Sequence, residues 1–152
     1  MKSRARRIVW VAALVLCGCS KDPNQPALVP LSGQVTLDDQ PLAGAEVSYV
    51  PVGATKGAGS TGRTNADGVY QLTAVRGGAG VVPGEYRVAI SKRVMPDGSD
   101  FPADSKVPPI ESPARQLLAP EYSDPQRSRL RATVPADGGT KDFHLKTATK
   151  SR

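Results

Sequence analysis

Few residues in this chain could carry chemistry. There are two cysteines, Cys17 and Cys19, and one histidine, His144, in 152 residues. A cysteine thiolate is a ready nucleophile toward alkylating groups, so the cysteines are the first candidates. A zinc centre needs three or four clustered His, Cys or carboxylate ligands, and His144 has no such company in sequence. Neither H-E-x-x-H nor a G-x-S-x-G elbow occurs, which leaves a serine triad without a means of presenting its nucleophile. Asn65-Ala66-Asp67-Gly68 looks at first like part of a calcium loop. With Gly68 at its sixth position, however, Arg63 and Ala74 fall where the loop needs Asp and Glu. A Lys–Asn isopeptide bond is not expected either: Asn24 and Asn65 are the only asparagines, and neither sits on a predicted strand. The expectation is therefore no catalytic residue, no metal and no cofactor, with His144 on the solvent side of a strand.

The cysteines sit behind a distinctive leader. Lys2, Arg4, Arg6 and Arg7 precede Ile8–Leu16, an apolar run of nine residues. A bilayer-spanning helix needs about 20, whereas a secretory signal core has this length and these flanks. Leu16-Cys17-Gly18-Cys19 then resembles the bacterial lipobox, with an aliphatic residue at −3, a small one at −1 and the modified cysteine last. Cys19 fits that position because Gly18 precedes it; Cys17 would put bulky Leu16 at −1. The resemblance implies removal of residues 1–18 and diacylglyceryl transfer to the Cys19 thiol, with acylation of the freed amine. One acyl chain anchors only marginally, and two or three hold firmly. Ser20, not Asp, follows the cysteine, which under the rule for enteric lipoproteins favours the outer membrane over the inner. Cys17 departs with the leader and Cys19 carries lipid, so no disulfide is expected in the mature domain.

Behind residues 19–30, a tether with three prolines, the pattern becomes short alternating runs. Gly33–Leu37, Ala45–Pro51, Ser60–Thr64, Val69–Thr73, Glu85–Lys92, Leu130–Val134 and Asp142–Lys146 read as seven strands. Asn65, Asp67 and Gly68 predict a turn, as do Pro83 and Gly84, because these residue types accept turn angles cheaply. The last two strands read as a closing hairpin around Asp137-Gly138-Gly139. Val35, Val47, Tyr70, Leu72, Val88, Ile90, Val134 and Leu145 fall on the apolar side of their runs and should form the core. Arg93–Pro125 holds seven of the 14 prolines with little alternation. It reads as a long, weakly packed loop, with Leu117–Tyr122 docking back on the domain. Such a loop on a rigid scaffold is a natural place for recognition. The polar tail 147–152 is expected to fray. The fold class is all-β: a seven-stranded antiparallel sandwich of immunoglobulin-like or prealbumin-like kind over residues 31–146.

Gly33-Gln34-Val35-Thr36-Leu37-Asp38, Gln40–Val47, Thr64–Leu72 and Pro83–Val88 together resemble the carboxypeptidase regulatory-like domains, with their transthyretin-like sandwich. The likeness is to the short lipoproteins of that group and spans residues 31–146. It implies a fold, not an activity. The transthyretin relatives that hydrolyse 5-hydroxyisourate use several histidines, and this chain has one.

Charge narrows the partners. The net +6 owes four of its 20 basic residues to the leader. Residues 19–152 then hold 16 basic and 14 acidic groups, and no basic stripe with interleaved aromatics, so no nucleic-acid partner is expected. The expected partners are a membrane, through the lipid, and an unidentified envelope protein. A glycan is the alternative, although sugar sites want aromatic platforms and only Phe101 reads as an exposed ring. The functional expectation is a non-catalytic structural or protein-interaction module of the cell envelope.

Overall fold

The computed structural model describes residues 26–102, 105–108 and 111–147. The described elements in chain order are β1 (Leu31–Leu37), β2 (Gln40–Pro41), β3 (Glu46–Pro51), β4 (Ser60–Arg63), β5 (Val69–Gln71), β6 (Thr73–Ala74), β7 (Gly84–Ser91), β8 (Arg93–Val94), β9 (Arg115–Gln116), α1 (Pro120–Ser123), β10 (Arg131–Val134), β11 (Gly139–Thr140) and β12 (Phe143–Leu145). The chain is an all-β sandwich, and each of the seven expected strands is present. Among the described residues no helix is long and apolar enough to cross a membrane.

One sheet is built around β1. Its first half pairs with β5 and its end with β2, both antiparallel; its other edge pairs with β11 and β12, both parallel. The second sheet is antiparallel throughout, in the order β10-β7-β3-β4-β6. Period-two alternation aims one side of each strand between the sheets. Val47 and Tyr49 of β3, Tyr86, Val88 and Ile90 of β7, and Val35 of β1 are all buried there. All eight residues expected in the core are buried, none above 3% exposure. Tyr49, Tyr70, Tyr86 and Phe143 form an aromatic cluster, with Tyr49 and Tyr86 centroids 5.5 Å apart.

The expected closing hairpin does not form. Leu130–Val134 and Asp142–Lys146 do not form a hairpin, because β10 pairs with β7 in one sheet and β12 with β1 in the other. The turn at Pro135–Gly138 carries the chain across the sandwich, where the Gly139 amide donates to Pro30 O at 3.0 Å. From there the chain must run beside β1 in the same direction, so the pairing is parallel. Equally, the Asn65–Gly68 turn joins β4 of one sheet to β5 of the other. Both segments have hairpin-like residues, but their apolar faces are buried against opposite layers. The sheets also meet at a corner: the run from Val69 to Ala74 pairs with β1 up to Gln71 and with β4 from Thr73. Such a bend lets one stretch of chain pass from one layer to the other.

Candidate functional site

The strands give the sandwich two poles. At the first lie the start of β1, the end of β3 and the loops around Gly57 and Gly77. The chain enters here. Val29 pairs with Val81, the two amide–carbonyl bonds measuring 2.8 and 2.9 Å, so pairing begins two residues before β1. Pro83 bends the chain at this pole, and Gly84 already opens β7. The Thr55 hydroxyl caps that opening, accepting from the Glu85 amide at 2.8 Å and donating to Glu85 O at 3.1 Å.

The opposite pole carries the predicted turn and the long loop. Asn65 Oδ1 accepts from the amides of Asp67 at 3.0 Å and Val69 at 2.9 Å, a hydrogen-bonded Asx turn. Gly68 has φ +72°, and a Cβ there would stand 2.6 Å from Val35 O. The same Gly68 lends its carbonyl to the Val35 amide at 2.9 Å. The three residues are thus a strut between β1 and the turn. Sequence reasoning missed its neighbour Thr64. This buried hydroxyl donates to Leu42 O at 2.6 Å and accepts from the Ala45 amide at 2.8 Å, holding the 42–45 connection in place. A threonine after a weak strand carries no signal that would have shown this.

The described parts of the long loop are better fixed than its composition suggests. β8 and β9 pair antiparallel at its base, and Val94 is buried. Lys92, with a side chain only 12% exposed, donates to Ala43 O at 2.7 Å and pairs with Asp100 at 2.8 Å. That cation ties the loop to the 42–45 connection. Leu118 is buried and Tyr122 packs against the core, so the docking expected for Leu117–Tyr122 occurs, although Leu117 stays 47% exposed. Phe101, read as an exposed ring, is half-buried.

Between this loop and the end of the second sheet is an open cleft of about 390 Å³. Arg63, Arg93 and Lys106 line it together with Glu46 and Phe101. Among the described lining residues three are basic and one is acidic, with one aromatic ring and the prolines Pro102 and Pro108 beside them, and the Asp100 carboxylate stands close to Gly44 at the edge. The arrangement can hold an anionic or amphipathic group, and among the described residues it offers no nucleophile–base pair. His144 is not among the residues that line it. Exposed on β12, it shares a 2.9 Å hydrogen bond between its Nδ1 and Thr36 Oγ1. Among the described residues no group of three His, Cys, Asp or Glu is placed to hold a metal. Leu16, Cys17, Gly18 and Cys19 lie outside the described residues.

No protein-family model matches the chain. No curated protein matches it. A DUF3823 family protein from Parabacteroides merdae ATCC 43184, of solved structure, is similar at 15% identity and a TM-score of 0.38. The match covers 80% of this chain, which spans 46% of that one. The likeness bears on neither ligand nor activity.

Proposed function

We propose that this chain is a bacterial envelope lipoprotein, lipidated at Cys19, whose sandwich is a carboxypeptidase regulatory-like domain acting as a non-catalytic structural or protein-interaction module. The observation that carries the reading is Leu16-Cys17-Gly18-Cys19 directly behind a basic stretch and a nine-residue apolar core. The outer membrane is the proposed location, since Ser20 follows the cysteine. The arrangement of the poles supports a presenting role: the chain enters at one and the cationic cleft lies at the other. The proposed partner is an envelope protein bearing acidic groups, seated at that cleft. Phe101 in the same cleft favours a second reading, an acidic glycan stacked on the ring.

Labelled palmitate tests the anchor. Cys19→Ala should lose the label and leave the membrane fraction, while Cys17→Ala should keep both; label surviving in Cys19→Ala refutes the anchor. Cross-linking in intact envelopes tests the cleft. Arg63→Glu with Lys106→Glu should abolish the cross-linked species without altering the fold's circular dichroism. A glycan array run with the lipid-free domain separates the two ligand readings.

A further inference from the structure

We infer that the pole where the chain enters the sandwich lies against the lipid headgroups, and that the cationic cleft is thereby held away from the bilayer. The inference rests on the lipid anchor at Cys19 proposed above and adds an orientation to it.

Chain length is the first ground. Seven peptide units separate Cys19 from Pro26, the first described residue. Fully extended they reach about 25 Å, and as a relaxed coil about 15 Å. β7 has eight residues and spans about 26 Å along the sandwich. A relaxed tether is shorter than the domain is tall, and a fully extended one only matches that height, so turning the far pole to the membrane would use up nearly all of the tether's conformational freedom.

The second ground is that the tether does not swivel at its upper end. Val29 is clamped to Val81 by two backbone hydrogen bonds, and Leu28 lies against the loop at Gly78. Pro26 and Leu28 line the groove between the Gly57 and Gly77 loops, with Val82 and Tyr86 behind them. The direction in which the chain leaves the sandwich is therefore set by pairing rather than by a hinge.

Surface chemistry is the third. Val75, on the second of these loops, is 59% exposed, the most of any large hydrophobic among the described residues. Arg76 follows it in the chain, and Lys56, Glu85 and Asp137 line the neighbouring grooves of this pole. An apolar tip with balanced charge suits a zwitterionic headgroup layer, and contact with it should not depend on salt.

The test uses tryptophan as a depth probe. Trp10 is the only tryptophan, and it lies in the leader that cleavage removes. Val75→Trp and Val107→Trp place single probes at opposite poles, Val107 being an exposed residue of the cleft rim. Each lipidated chain is purified from membranes, checked by mass for lipid on Cys19, and reconstituted into phosphatidylcholine vesicles brominated near the headgroup. Val75→Trp should lose most of its emission relative to unbrominated vesicles, at low and high salt alike, and Val107→Trp should lose none. Equal quenching of the two probes, or none of either in chains that carry the lipid, overturns the orientation and leaves the anchor standing. Chains found without lipid on Cys19 overturn the anchor, and the orientation falls with it.

Discussion

Replacing Gly33 by alanine adds one methyl group to the middle of β1, where another stretch of backbone already lies. An ideal Cβ at Gly33 would stand 1.8 Å from Lys141 O and 2.6 Å from its carbonyl carbon. Ordinary contact begins near 3.4 Å, so the 141 peptide must recede by more than an ångström. That peptide is committed on both sides. Its amide donates to Ser32 O at 2.8 Å, and its carbonyl accepts the Tyr70 hydroxyl at 2.6 Å. Tyr70 Oη in turn lies 3.0 Å from Tyr49 Oη. Since the Tyr70 proton is given to Lys141, Tyr49 must be the donor of that pair. Losing two hydrogen bonds at about 1 kcal/mol each, with overpacking of about 1–3 kcal/mol, puts the cost near 3–5 kcal/mol. That is a large share of the roughly 5–15 kcal/mol a small domain has in hand. Urea unfolding of the soluble domain, followed by circular dichroism, measures it. Tyr70→Phe alone should cost about 1–3 kcal/mol, because it also strands the Tyr49 hydroxyl. In the Gly33→Ala background the Tyr70→Phe cost should shrink by at least about 1 kcal/mol, since the bond is already broken. A Gly33→Ala protein within about 1 kcal/mol of wild type, or strict additivity of the pair, would refute the reasoning.

Alkaline pH attacks the same tyrosines. Burial pushes the Tyr49 hydroxyl up to about 12 and raises Tyr70 and Tyr86 as well. The fold favours their protonated forms, so this stabilisation is complete below pH 10 and is lost as pH rises toward the folded values. Tyr49 alone should cost about 2 kcal/mol by pH 12, read as a falling urea midpoint between pH 9 and 12. Gly68→Ala should destabilise by more than about 1 kcal/mol, since both the positive φ and the nearby Val35 carbonyl oppose a Cβ; an unchanged melting temperature would count against the strut. Lys92→Ala should release the base of the long loop, so that trypsin cuts at Arg93 or Lys106 faster than in wild type. Asp39→Gly should raise stability by about 0.5–1 kcal/mol, because Asp38 and Asp39 both hold positive φ in the two-residue β1–β2 turn and the Asp39–Lys146 pair it removes is exposed.

The strands and their inward faces were legible because they obey a period that one residue after another repeats. Val35, Val47, Val88 and Leu145 each alternate with polar neighbours, and each is buried. Pairing was less legible. Nothing in Leu130–Val134 or Asp142–Lys146 says which layer receives it, since either sheet can bury an alternating apolar face. The Asp-Gly signal at Asp67 correctly placed a positive-φ glycine at Gly68, yet it could not tell a hairpin from a crossing between sheets. Within the long loop, Lys92 and Asp100 read as ordinary surface charges. Their pairing depends on the 42–45 connection, which lies about 50 residues away in sequence and is brought near only by the fold. The cleft is built from β3, β4 and this loop together, so no local window contains it.

The side-by-side placement of β1 and β12 has a temporal meaning. The pair joins residues 108 apart, such as Thr36 and His144, whose Oγ1 and Nδ1 lie 2.9 Å apart. A chain that emerges N-terminus first, from a ribosome or a translocation channel, carries β1 with one edge bare until β11 and β12 arrive. Before then the first sheet cannot complete its β11 and β12 side, and the crossing from the second sheet cannot close over the aromatic cluster. Closing so long a loop carries a large entropic cost before any contact rewards it, which places this domain among slow folders that commit late. An open strand edge during that wait is a template for association with other chains, so a stop codon ahead of Phe143 would yield an adhesive protein rather than a shortened one.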